Sequence, residues 1–125
     1  MATCHSVFRT DAVALITGGA SGIGLAIASR CLSHCMKVAI VDREPNSLQS
    51  ALDTLQSQLQ HNRTPDDIKT YAIDVGDEAA WTTIKSAIVE SWGGVEFLVL
   101  NAGTYIKGEW EDSSWWKAVP SLSLI

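Results

Sequence analysis

Short, unbroken apolar runs alternate along this chain with longer segments in which apolar residues recur every three or four positions. Ala12-Val13-Ala14-Leu15-Ile16 predicts a first strand, and the pattern from Gly22 to about Cys35 predicts a first helix. Lys37-Val38-Ala39-Ile40-Val41 predicts a second strand. Leu48, Leu52, Leu55 and Leu59 fall at i, i+4, i+7 and i+11, which predicts an amphipathic helix starting near Pro45-Asn46. The polar stretch 61–67 contains Pro65 and reads as a loop, and Lys69-Thr70-Tyr71-Ala72-Ile73 as a third strand. Asp77 is placed to cap a third helix, with Glu78 in its first turn and Trp81, Ile84, Ile88 and Trp92 along one face. Gly93-Gly94 ends that helix, and Val95-Glu96-Phe97-Leu98-Val99-Leu100 predicts a fourth strand. The succession β-α-β-α-β-α-β implies an α/β fold, a parallel sheet with helices on both faces. Right-handed crossovers then give the strand order 3-2-1-4. No internal repeat interrupts it.

The join between the first strand and first helix is Thr17-Gly18-Gly19-Ala20-Ser21-Gly22-Ile23-Gly24. A strand, a glycine turn and a helix N-terminus make a site for a pyrophosphate, because free N–H groups and the positive end of the helix dipole face the anion. Gly18 supplies a backbone conformation closed to other residues. Gly22, lacking a Cβ, lets a diphosphate approach the main chain, and Gly24 lets the helix lie close on the sheet. Three residues separate Gly18 from Gly22, whereas the general dinucleotide fingerprint has one. No lysine follows the glycines, which removes a P-loop.

Ligands of such sheets bind beyond the carboxyl ends of the strands, so each exit matters. The second strand leaves at Asp42-Arg43. An acidic residue there accepts hydrogen bonds from both hydroxyls of an adenosine ribose and repels a 2′-phosphate. Arg43 leaves two possibilities open, pairing with a 2′-phosphate or stacking on adenine. At the third exit, Asp74 can accept from the adenine amino group, and the Val75 N–H can donate to the ring. The fourth strand leaves at Asn101-Ala102-Gly103, where an amide can bridge two strands and small residues leave room for a ribose.

With 125 residues the chain is one domain, and 46% hydrophobic with 18% charged residues is the balance of a globular protein. A net charge of −5 gives no support for binding nucleic acid or an anionic membrane. No apolar run approaches the roughly 18 residues of a membrane span. The first residues lack the apolar core of a signal peptide, and the last three are not a peroxisomal Ser-Lys-Leu, so a cytoplasmic location is expected. The three cysteines, Cys4, Cys31 and Cys35, are expected to be reduced. Cys31, His34 and Cys35 invite a metal, but Ile23, Ile27, Cys31 and Cys35 recur every four residues as a buried stripe, and no metal site is expected.

Together these motifs resemble the short-chain dehydrogenase/reductase family: Thr17-Gly-x-x-x-Gly-x-Gly24, Asp42, Asp74-Val75 and Asn101-Ala102-Gly103 occur in order, one on each strand exit. The resemblance covers roughly residues 8–119. It departs at Leu100, where the family often has a second Asn. It implies a Rossmann-type domain and hydride transfer between NAD(P) and an alcohol or carbonyl. By the same resemblance Thr17, Gly18, Ser21, Ile23 and Gly24, with Gly22 between them, surround the pyrophosphate and adjoining ribose. Asp42 selects NAD rather than NADP, Asp74 and Val75 hold adenine, and Asn101, Ala102 and Gly103 flank the inner ribose.

The family's catalytic Ser and Tyr-x-x-x-Lys are not found, and Tyr105-Ile106-Lys107 has the wrong spacing. No catalytic residue is therefore assigned. Trp115-Trp116-Lys117-Ala118-Val119 resembles the start of the next helix, but Pro120 breaks the pattern. Residues 1–119 are read as a partial NAD(P)-binding domain with about four strands, and 120–125 as the tail of a misread or alternatively spliced transcript. Three functions compete: the cofactor part of an oxidoreductase without its own active site, a non-enzymatic NAD-binding or interaction module, and a methyltransferase-like nucleotide binder. The glycine spacing and Asn101-Ala102-Gly103 count against the third. Substrate and oligomeric state are not encoded in these motifs.

Overall fold

The structure is a computed structural model and describes residues 5–103. Cys4, Tyr105, Lys107, the 115–119 segment and the 120–125 tail lie outside the described residues. The elements run β1 (Val13–Thr17), α1 (Gly22–Ser33), β2 (Lys37–Asp42), α2 (Pro45–Ser57), β3 (Ile68–Ala72), α3 (Glu78–Trp92) and β4 (Phe97–Leu100). All pairings are parallel and the order is β3-β2-β1-β4, the doubly wound arrangement expected from the alternating pattern. The loop before β3 carries one 3₁₀ turn, Pro65–Asp67.

Strand alternation divides β1 and β2 between two cores. Ala14, Ile16, Val38 and Ile40 face α1 and α2, where Ala28, Leu32, Leu48 and Leu55 meet them. Val13, Leu15, Ala39 and Val41 face Ile84 and Ile88 of α3. Both faces of these strands are covered, which is why their sequences read as continuous apolar runs. β4 is different. Phe97 and Val99 pack toward the first core, while Leu98 and Leu100 on the other face are 39% and 48% exposed. Ile84 and Ile88 of α3 pack on β1 and β2 and leave Leu98 and Leu100 of β4 exposed among the described residues.

Several expectations need correction, among them the fourth strand, which starts at Phe97 rather than Val95. The stripe Ile23–Ile27–Cys31–Cys35 is not one buried face: Ile23 is 72% exposed in the first turn of α1, and Cys35 lies beyond the end of the helix. The residues α1 buries are Gly24, Ala28, Cys31 and Leu32. Leu59 lies two residues past α2, which ends at Ser57. Helix α1 ends in a Schellman motif, with Cys35 N–H donating to the Leu32 carbonyl and Met36 N–H to that of Cys31. Cys35 holds a left-handed φ of 58° at the position where glycine is usual. The Cys31 thiol is buried, and burial pushes its pKa up to about 11.

At the amino end of the sheet, Arg63 reaches from the α2–β3 loop to Asp11, 2.7 Å away, and lies 3.2 Å from Asp67. The hydrogen bond from Arg63 holds the Asp11 carboxyl below the usual range. That clamp is at the opposite end of the sheet from the strand exits, where the candidate site lies.

Candidate cofactor site

The carboxyl ends of β1, β2 and β4 meet around the glycine turn, and the turn is fixed from three sides. Below it, Thr17 is 2% exposed and its hydroxyl is fully used. It accepts from the N–H groups of Asn101 and Ala102, each at 3.0 Å, and donates to the Val99 carbonyl at 3.4 Å. Thr17 therefore ties the exit of β4 to that of β1, and it sits beneath the turn rather than on its open face. The Asn101 side chain completes the tie by donating from Nδ2 to the Gly18 carbonyl at 3.3 Å.

The glycines differ in purpose. Gly18 has φ +66°, and a Cβ there would stand 2.9 Å from Asn101 Nδ2. Gly24 is conformationally ordinary but sterically closed: a Cβ would run into the Gly18 carbonyl and lie 2.7 Å from Asn101 Nδ2. The start of α1 thus rests directly on the turn. Gly22 has φ +55° with nothing within 4 Å of a Cβ, so its surroundings are open. Gly19 is not among the residues the sequence motifs single out. A Cβ there would lie 2.6 Å from the Ile40 side chain, so Gly19 lets the turn settle on β2. Its signal is the Gly-Gly pair, but the neighbour that demands it is 21 positions away.

The open face of the turn carries the donors. The first helical bond of α1 runs from Leu25 N–H to the Ser21 carbonyl at 3.2 Å. The N–H groups of Gly22, Ile23 and Gly24 precede it and have no place in the helical ladder. Ser21 caps the helix with extended backbone and makes no side-chain cap bond, and its side chain is exposed. This is the donor set an anion requires at a helix N-terminus.

Asp42 closes the third side. Its Oδ2 accepts from Ala20 N–H at 3.3 Å and its Oδ1 from Glu44 N–H at 3.4 Å. Both bonds are long, and the carboxylate lies half-buried beside the turn. Arg43, next to it, is exposed. At the β3 exit, Asp74 Oδ1 accepts from Gly76 N–H at 2.9 Å, and the Asp77 N–H donates to the Asp74 carbonyl at 3.0 Å. Val75 is half-buried against the α3 core. Ala102 is half-buried and Gly103 exposed just beyond β4, where a Cβ on Gly103 would meet only Asn101 O at 4.0 Å.

The structure thus gathers Gly18, Ser21, Gly22, Ile23, Gly24, Asp42, Asn101 and Ala102 at one end of the sheet, with Asp74 and Val75 at the neighbouring β3 exit. A dinucleotide fits this frame: an open approach at Gly22, three N–H groups outside the helical ladder, and a carboxylate one strand over. Among the described residues no group of three His, Cys, Asp or Glu is arranged to hold a metal ion. No described helix is long and apolar enough to cross a membrane.

Comparison with known proteins follows the same line. The chain is 32% identical over 114 residues to an NADP-dependent (R)-specific alcohol dehydrogenase of Lentilactobacillus kefiri, covering 90% of this chain and 42% of the relative. It is 37% identical over 99 residues to a 3-dehydrosphinganine reductase of Arabidopsis thaliana, covering 79% and 27%. It superposes on L-sorbose reductase from Gluconobacter frateurii, solved with NADPH and L-sorbose, with a TM-score of 0.72 and 28% identity over 87% of this chain and 40% of that one. The chain therefore spans well under half the length of these relatives. Residues 12–122 match the short chain dehydrogenase family, and with the glycine turn, Asp42 and the Thr17–Asn101 tie in place, the chain belongs to that family.

Proposed function

We propose that this chain is the cofactor-binding part of an oxidoreductase that exchanges hydride between a nicotinamide dinucleotide and an alcohol or carbonyl, and that it prefers NAD to NADP. The observation that carries the preference is Asp42. Its carboxylate lies beside the glycine turn, 3.3 Å from Ala20 N–H. A ribose attached to a diphosphate at the start of α1 brings its 2′-position toward that carboxylate. Ribose hydroxyls donate to it, and a 2′-phosphate meets a like charge. Exposed Arg43 is then left to stack on the adenine face. The alcohol dehydrogenase and the sorbose reductase named above use NADP or were solved with NADPH, so the charge of Asp42 is the point at which this chain is proposed to differ.

Each part of the site has a physical task in this reading. The N–H groups of Gly22, Ile23 and Gly24 hold the diphosphate, aided by the helix dipole. Asn101 and Ala102, fixed by the buried Thr17 hydroxyl, set the wall beside the inner ribose. Bound there, the nicotinamide supplies the hydride donor or acceptor. The 125 residues contain no Tyr-x-x-x-Lys, and the reading assigns the chain no residue that moves the substrate proton.

Isothermal titration of the full chain tests the preference. NAD is expected to bind at least tenfold more tightly than NADP, a difference of about 1.4 kcal/mol. Asp42→Ala is expected to narrow that ratio by weakening NAD and strengthening NADP. Tighter binding of NADP by the unaltered chain would mean that Arg43 governs the ribose.

A further inference from the structure

The turn that follows β3 is gripped by a side chain from outside it. Trp81, in the first turn of α3, donates its indole N–H to the Val75 carbonyl at 2.8 Å. The other polar end of the same peptide group, the Gly76 N–H, donates to Asp74 Oδ1 at 2.9 Å. The Val75–Gly76 peptide is therefore held at both ends, by Trp81 on one side and by the Asp74 carboxylate on the other. Helix α3 is itself anchored at this point, since Asp77 Oδ1 caps it by accepting from Ala80 N–H at 3.2 Å. Trp81 packs with Tyr71, Ile73 and Val75 against the α3 core, so the indole is set by packing as well as by its hydrogen bond. Among the described residues the Val75 N–H donates to no protein group.

The geometry points to Trp81 as a positioning residue for adenine recognition, acting through the Val75–Gly76 peptide on the Asp74 carboxylate. It rests on the reading in which Asp74 accepts from the adenine amino group and the Val75 N–H donates to the ring. A hydrogen bond to the Val75 carbonyl polarises the peptide and makes the Gly76 N–H a stronger donor to Asp74 Oδ1. With one carboxylate oxygen held in the turn, the other is presented at a fixed angle. The same bond fixes the backbone around Val75, and with it the direction of the unpaired N–H. Trp81 touches no part of the nucleotide itself.

The test compares NAD with nicotinamide hypoxanthine dinucleotide, which lacks the amino group and carries a donor where adenine has a ring acceptor. Trp81→Phe keeps most of the ring volume and removes the N–H. In the full chain it is expected to weaken NAD about fivefold, the worth of one neutral hydrogen bond. The hypoxanthine dinucleotide should bind it as it binds the unaltered chain. Asp74→Asn serves as the control for the adenine site and should abolish the preference for NAD over the hypoxanthine analogue. If Asp74→Asn leaves that preference intact, the adenine reading fails and the role of Trp81 falls with it. If Asp74→Asn abolishes it while Trp81→Phe leaves NAD affinity unchanged, or weakens both dinucleotides equally, the positioning role alone is overturned. The unaltered chain gives a reading that needs no variant. NAD should protect the Trp81 indole proton from solvent exchange more than the hypoxanthine analogue does, and equal protection counts against the proposal.

Discussion

Thr17 spends its hydroxyl three times, twice as acceptor and once as donor, and so joins two strands that are 82 residues apart in sequence at their closest bonded pair. Replacing it by valine keeps the shape and leaves two half-buried N–H groups without their acceptor. A fully buried unsatisfied group costs about 1–3 kcal/mol and a half-buried one less, so Thr17→Val is expected to destabilise the chain by about 1–2 kcal/mol in urea titration, and to weaken NAD by releasing Asn101. Thr17→Ser keeps the hydroxyl and should cost less than half as much; equal losses from both would show that the methyl group, not the hydroxyl, holds the exit of β4. The same scale shows why part of the site was legible and part was not. Asp42 and Asn101 can be placed at strand exits from the sequence because the strand runs are unbroken and their exits can be counted. The task of Gly19 depends on Ile40, and that of Gly24 on the Gly18 carbonyl, so neither reason exists until the turn is folded. The burial of Thr17 was equally hidden, since a threonine before a glycine turn reads the same whether it faces ligand or core.

Elements were more legible than their ends. Helix α3 was bounded by Asp77 and Gly93 because both ends carry chemistry that the sequence displays, a side-chain acceptor at one and a left-handed φ of 86° at the other. Helix α1 was drawn to about Cys35, yet it ends at Ser33, because nothing in a cysteine announces a left-handed residue. A non-glycine residue there costs roughly 1–2 kcal/mol. Cys35→Gly removes that strain but loosens the unfolded chain, so a net gain of about 0.5–1 kcal/mol is expected. Thermal unfolding should rise by a few degrees, while the Cys31 thiol stays unreactive toward thiol reagents in the native state. A lowered melting temperature would mean that the Cys35 side chain contributes packing that outweighs its backbone strain. The misread stripe has the same origin: periodicity of four carried Ile23 and Cys35 into one face, but the first residue lies at the open end of the helix and the second beyond its close.

Among the described residues, β4 and the face beside it form an uncovered surface. Among the described residues β4 pairs only with β1, and its outer edge is an unpaired row of peptide groups. Beside it a groove of about 730 Å³ runs between α3 and the sheet, lined by Leu15, Ile84, Ile88, Val89 and Leu98. Val89, Val95, Leu98 and Leu100 are 39–49% exposed, and β4 itself carries no charge, proline or bulge to discourage pairing. Full-length relatives more than twice this size have further chain to place against such a surface. The 125 residues alone are therefore expected to self-associate, visible as a broad, concentration-dependent profile in light scattering. Leu98→Thr should raise the monomeric fraction without moving the cofactor site, because Leu98 pairs in register with Leu15, two positions before the strand end. NAD acts against unfolding but not against the edge. At a hundred times its dissociation constant it adds about 2.7 kcal/mol, enough to raise the melting temperature by roughly 10 °C for a unit of this size. It leaves β4 bare, so ligand should stabilise the fold more than it disperses the aggregate. The 125 residues hold no Tyr-x-x-x-Lys, general acid–base help is worth about 10²–10⁴-fold in rate, and the chain as given is expected to form no measurable NADH from secondary alcohols. A monodisperse preparation that reduces NAD with an alcohol, at a rate abolished by Tyr105→Phe, would overturn both expectations at once.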